Sequence, residues 1–215
     1  MSQEKIIDND KKTIFGVGIN DANYKATTYQ VINGKSTLIW RCPYYVAWSG
    51  MFVRCYSKSY QSRRPSYLGC TVDSRWHRFS EFRVWMEHQD WEGKELDKDI
   101  LVKGNKIYSP ETCAFVDAMT NSFLLDCRTL MNKLPIGVTM SKNNNKFRAQ
   151  CNNPFTGKRD HIGSFGTQEE AHTAWFSRKR EHAYMLAALQ KDKRVSGSLI
   201  SRFAMQSETA EAPNG

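Results

Sequence analysis

Two carboxylates flank a lysine in the run ELDKDILV, as Asp97, Lys98 and Asp99, and Asn121 follows one turn into a segment of helical spacing. Oxygen donors of this kind suit Mg2+ or Mn2+. A divalent ion held by Asp97, Asp99 and Asn121 could neutralise a phosphoryl oxygen and activate water, which is metal-assisted phosphodiester hydrolysis. Acidic pairs and lone helix asparagines are equally at home on a solvated surface. Lys98 is cationic at neutral pH and cannot take a proton from water unless its pKa falls strongly. It would instead contact phosphate or the charge that develops in the transition state. His77 and His88 are imidazoles that could supply a base, or simply pack at the surface.

A second constellation lies further along. KFRAQCN (146–152) alternates Phe147, Ala149 and Cys151 with Arg148, Gln150 and Asn152, so one face is apolar and the other polar. With Thr139, Ser141, Lys146, Arg159 and His161 from neighbouring runs, the polar face holds three fixed cations, two carboxamides and no acid. Arg bonds guanine bidentately, Gln or Asn bonds adenine, and Lys and hydroxyls suit phosphate. A β-ribbon or small sheet fits a major groove.

The overall balance agrees in sign. The 215 residues carry 31 Lys+Arg against 22 Asp+Glu, a net charge of +9. That excess points to a polyanion, nucleic acid first, although charge by itself names no mechanism. No run approaches the roughly 20 apolar residues of a membrane helix, and the polar start MSQEKIIDNDKK lacks a secretory core. The six cysteines (42, 55, 70, 113, 127 and 151) show no C-x-x-C spacing. They read as reduced, buried thiols, with a scattered zinc site at Cys55, Cys70 and Cys113 as the other reading.

The positioning elements follow from pattern. Asn33-Gly34 between two β-prone runs predicts a hairpin, and mixed 3–4 spacing predicts a helix over 43–56. Residues 56–67 read as a polar, basic loop, in which Lys58, Arg63 and Arg64 with Tyr56, Tyr60 and Tyr67 could track phosphates. A short strand is expected at 69–72, then a helix from Glu81 capped by Ser80 and stopped by Gly93. Strand 95–102, turn 104–106, strand 112–116 and helix 116–133 follow in order. Past a boundary at Asn132-Lys133-Leu134-Pro135 come strands 136–140, 146–152 and 159–165. The capping box Thr167-x-x-Glu170 then opens a helix to about Gln190, and 191–215 reads as a disordered tail. The tryptophans at 40, 48, 76, 85 and 91 read as core and rim aromatics of a small domain.

Two resemblances add to this reading. The pattern GVTM (137–140), KFRAQC (146–151) and GKRDHIGSFGTQEEAHTAW (157–175) resembles the Apetala-two type DNA-binding domain of plant ethylene-response factors. The likeness implies duplex contacts by Gln150, Asn152, Arg159 and His161, and the polarity of the free face adds Lys146 and Arg148. Thr139, Ser141 and His161 depart from the plant pattern, so its target sequence does not carry over. In the first half, Trp48-x-x-Met51-x-x-Arg54-Cys55-Tyr56, the Gly69-Cys70-Thr71-Val72 segment, Trp76-x-x-Phe79-x-x-Phe82 and LDKDILVKGNKIYSPETCAFV (96–116) resemble HNH-type homing endonucleases of tailed bacteriophages. That likeness aligns Asp97 with the acid preceding the general base, Lys98 with the base histidine itself, and Asn121 with the helix asparagine.

Together they imply an α+β chain with an HNH-like ββα-metal domain over 14–132. A three-stranded antiparallel sheet on one helix would occupy 135–190. The implied activity is duplex DNA cleavage or nicking with Mg2+ (or Mn2+) in the cytoplasm of a host bacterium, without a membrane partner. Asp97, Lys98 and Asn121 would act at the phosphate, and Asp97, Asp99 and Asn121 would hold the metal. The competing expectation is a non-catalytic, sequence-specific DNA-binding regulator or accessory factor.

Overall fold

Trp48, Met51, Phe52 and Cys55 recur at helical spacing behind a proline, and they form the inner stripe of the first long helix, α1. A computed structural model describes residues 13–124, 134–141 and 145–204. The chain is α+β with small sheets, and it divides into two units, Met1–Phe115 and Val116–Gly215. The unit boundary falls ahead of the expected one, so the helix bearing Asn121 belongs to the second unit. No described helix is long and apolar enough to cross a membrane.

The first unit begins with β1 (Thr13–Ile14) paired to β2 (Gly18–Ile19). A hairpin follows, β3 (Thr27–Ile32) and β4 (Lys35–Arg41), turned by Asn33 and Gly34 at φ 52° and 74°. Positive φ at both positions is what a two-residue hairpin turn requires. Pro43 occupies the first turn of α1 (Pro43–Tyr56), where its missing N–H costs nothing. The segment expected as a loop is instead α2 (Lys58–Arg63), because the Ser57 hydroxyl accepts the Tyr60 N–H and caps it. β5 (Thr71–Val72) leads to α3 (Phe79–Glu87). Ser80 does not cap α3 as expected. Asp21, distant in sequence, accepts both the Ser80 N–H (2.9 Å) and its hydroxyl (2.8 Å).

Trp48, Phe52, Trp76, Phe79 and Phe82 are fully buried around this frame, and the Trp48 indole N–H donates to the Trp76 carbonyl at 2.8 Å. Trp85 and Trp91 pack at the rim, whereas Trp40 lies exposed on the hairpin. The expected strand 95–102 stops early, as β6 (Glu95–Asp97). β7 (Ile107–Tyr108) runs parallel to β5, and β8 (Ala114–Val116) pairs with β6.

In the second unit α4 (Ala118–Leu124) is capped by Asp117, whose carboxylate accepts the Thr120 N–H at 2.6 Å. The rest of the helix expected over 116–133, with Cys127, lies outside the described residues. β9 (Val138–Met140), β10 (Phe147–Asn152) and β11 (Arg159–Phe165) form an antiparallel sheet in the order β11-β10-β9. The capping box of Thr167 and Glu170 opens α5 (Gln168–Leu189), with both reciprocal hydrogen bonds made. Val138, Ala149 and Cys151 pack on Ala171 and Trp175 to make the core under the sheet. The supposed tail contains α6 (Lys193–Arg202), capped by Asp192, with Val195 and Leu199 buried one turn apart. Three apolar residues, Val195, Leu199 and Ile200, are too few to mark it in a polar sequence; residues 205–215 lie outside the described ones.

Gly137 at φ +80° sits where a Cβ would overlap the Trp175 ring. Gly137→Ala is expected to lower stability by about 1–3 kcal/mol through strain and overpacking. Urea denaturation checks this, and an unchanged midpoint would remove the contact from the account.

Candidate nucleic-acid interface and carboxylate loop

Alternation along β10 sends Arg148, Gln150 and Asn152 away from α5. Their register partners are Thr139 and Ser164 beside Arg148, His161 beside Gln150, and Arg159 beside Asn152. Thr139, Asn152, Arg159, His161 and Ser164 are exposed, and Arg148 and Gln150 are half-buried. Arg159 Nε donates to Asn152 Oδ1 at 3.3 Å. Lys146 is exposed at the start of β10, where its carbonyl accepts the Ser141 N–H at 2.8 Å. Arg148 Nε is out of solvent with no hydrogen-bond partner among the described residues. Ser164 was missed in the sequence because strict alternation from Arg159 puts Gly163 and Phe165 outward instead.

A bulge explains the difference. Ala149 faces Gly163, but the next residue, Gln150, faces His161, so Ile162 is an extra residue on β11. Ile162 and Phe165 pack into the core, and Asp160 pairs in register with Cys151 on the α5 side. There Asp160 meets Arg178 Nη1 at 3.1 Å, His182 Nε2 at 3.5 Å and Asn153 Nδ2 at 3.3 Å. The outward face of the three strands therefore carries no acid.

Cys151 Sγ lies 3.8 Å from His182 Nδ1, which completes a thiol–imidazole–carboxylate order. It is not a nucleophile site. Cys151 is 1% exposed, and burial pushes its thiol pKa up while lowering that of His182. A reactive thiol needs access and a depressed pKa.

In the first unit Asp97 ends β6 because its Oδ1 accepts the backbone N–H groups of Asp99 and Ile100, both at 2.6 Å. The side chain competes with the ladder and turns the chain, which is why the strand stops there. Burial raises the Asp97 pKa above the ordinary carboxylate value, and the two N–H donors oppose the rise. Lys98 is 5% exposed. Its ammonium donates to Asp99 Oδ2 at 2.6 Å and to the Asn105 carbonyl at 2.8 Å, and lies 5.7 Å from the Tyr67 ring centre. Asn105 returns two bonds, to the carbonyls of Lys98 and Ile107. Nearby, Arg54 Nε donates to the Tyr108 hydroxyl at 2.7 Å.

Asp97 and Asp99 are thus adjacent on one loop, while Asn121 stands on α4 in the second unit. His77 and His88 each hold a backbone carbonyl, of Val72 at 3.1 Å and of Val84 at 2.7 Å. Among the described residues no three of His, Cys, Asp and Glu gather as a metal site. Cys55, Cys70 and Cys113 are free and buried, and burial pushes the thiols of Cys55 and Cys113 up to about 12.

Lys98→Ala is expected to cost about 1–3 kcal/mol of stability by leaving the half-buried Asn105 carbonyl without its donor. Urea denaturation measures it. An unchanged midpoint together with weakened DNA binding would instead make Lys98 a phosphate ligand. Comparison of the chain with known proteins returns no matching family model, no matching curated protein and no matching solved structure.

Proposed function

We propose that this chain is a duplex-DNA endonuclease of the phage HNH type. Its second unit grips the double helix through the outward face of β9, β10 and β11, and its first unit acts on the phosphodiester. The observation that carries the DNA-binding half is the acid-free face, with Arg148, Arg159, Gln150 and Asn152 in adjacent register positions. Arginines and carboxamides set side by side match the donor and acceptor pattern of base edges, and Lys146 and the hydroxyls match phosphates.

For the cleavage half, Asp97 and Asp99 are the residues of the first unit that would hold Mg2+ or Mn2+. Their oxygen donors suit such an ion, and the second Asp97 oxygen is the one not used by the turn. The ion would supply Lewis-acid charge at a phosphoryl oxygen. The chain's own residues fix the loop: Asp97 pins its start, and Lys98 and Asn105 lace it closed.

The second reading is a non-catalytic DNA-binding regulator or accessory factor. The engaged ammonium of Lys98 favours it, since that group stands where the resemblance puts a general base and already spends its donors on Asp99 and Asn105.

Plasmid nicking with Mg2+ or Mn2+ separates the two. Asp97→Asn is the informative variant, because it keeps an Oδ1 acceptor for the turn while removing the charge. Metal-dependent nicking lost in Asp97→Asn is the expected result; tight binding with no cleavage of any duplex would leave the binder. Arg159→Ala is expected to weaken duplex binding by about 1–3 kcal/mol in a gel-shift titration. Unchanged affinity would take Arg159 out of the interface.

A further inference from the structure

The hairpin of β3 and β4 buries almost nothing. Apart from Thr27, every residue of both strands is exposed. Yet the hairpin carries Tyr29, Val31, Ile32, Leu38, Ile39 and Trp40, with Val31 71% and Tyr29 58% exposed. The register puts Tyr29, Leu38 and Val31 on one face and Ile32 and Trp40 on the other. Both faces are apolar in part, and both are open. A bare two-stranded ribbon is at best marginal in water, so this one has the composition of a ribbon that something encloses from both sides.

The charge around it points to what that is. From Ala22 to Val72 the chain contains no Asp or Glu, while it contains Lys25, Lys35, Arg41, Arg54, Lys58, Arg63 and Arg64. Arg54 is held by Tyr108. The other six are exposed, and among the described residues none of them forms an ion pair. Elsewhere in the same unit most cations are matched: Arg75 with Asp73 and Glu111, Arg78 with Asp21, Arg83 with Glu87, Lys94 with Asp90, and Lys98 with Asp99, while exposed Lys106 donates to the Ser66 carbonyl.

We propose that the β3–β4 hairpin is a second duplex-DNA contact, a ribbon that enters a groove with its apolar residues against base edges and Lys35 and Arg41 at the phosphate walls. A groove encloses both faces of a ribbon, which a flat protein surface does not, and the major groove is wide enough for two strands. Apolar side chains meet thymine methyl groups there, and unpaired cations release counterions from the phosphates. A second copy of this chain would set the same unpaired cations against each other. The inference rests on the reading of the chain as a duplex binder, but it assigns a different surface from the β9–β11 face.

The test uses the full chain and a fluorescent duplex of mixed sequence, titrated across a range of salt. Lys35→Gln with Arg41→Gln is expected to weaken binding about tenfold at low salt. It should also reduce the slope of log K against log salt by about 2, at roughly 0.9 per phosphate contact. Circular dichroism should stay unchanged, since both residues are exposed. Benzoylphenylalanine in place of Leu38 should cross-link to the duplex. An unaltered slope, or a cross-link to a second copy or to another protein in place of DNA, overturns the proposal. Arg148→Gln with Arg159→Gln keeps the two readings apart. If that pair loses affinity while the hairpin pair does not, the hairpin fails and the duplex-binding reading stands. If the unaltered chain binds no duplex, both fall.

Discussion

One extra residue decides the charge of the second unit's open face. A strand alternates sides with a period of two, so a slip of one position exchanges every inward and outward side chain beyond it. At Ile162 the bulge makes that exchange. Without it, Gln150 would face Ile162, Asp160 would point outward beside Asn152, and Arg159 and His161 would turn toward α5. With it, Asp160 lies beneath the sheet, where Arg178, His182 and Asn153 receive it. The outward face keeps two arginines and loses its one acid. A carboxylate among those arginines would pair with their guanidiniums and lower the positive charge of the face, so the polarity of that face depends on the core contact of Ile162.

The first unit uses its polar side chains differently. The side chains of Asp97, Lys98 and Asn105 satisfy backbone groups between 97 and 107, so a loop without regular structure is closed by side chains rather than by a ladder. A buried ammonium is tolerable only when its protons are taken, and two of those of Lys98 are, by Asp99 and Asn105. The residues that chemistry would want free are thus also the residues that hold the loop. That double use is what separates the two proposed readings, an endonuclease and a non-catalytic binder.

Local signals were legible in the sequence, and long-range ones were not. The Asn33-Gly34 turn, the α1 stripe of Trp48, Met51, Phe52 and Cys55, the alternation of β10 and the Thr167 capping box all depend on neighbours a few residues away. Each is found where its pattern puts it. The cap on α3 comes from Asp21, which no window around Ser80 contains. β6 ends at Asp97 because a carboxylate prefers the turn, although ELDKDILV carries a strand pattern further. α6 shows only two buried residues, and α2 depends on one serine hydroxyl. At the candidate sites Arg159 and His161 were placed outward by simple alternation, but the bulge that keeps them there, and that turns Ser164 outward with them, leaves no mark in composition. The burial of Lys98 was equally hidden, since it depends on Asn105 and Tyr67 closing over it.

The most direct test of the central claim is a map of backbone amide shifts in the full chain as a short duplex is added. The account predicts that the largest changes fall on Thr139, Arg148, Gln150, Asn152, Arg159, His161 and Ser164, while Asp160 and the α5 residues beneath it move little. Shifts absent from those strand positions, with changes concentrated on α5 or nowhere, would contradict it.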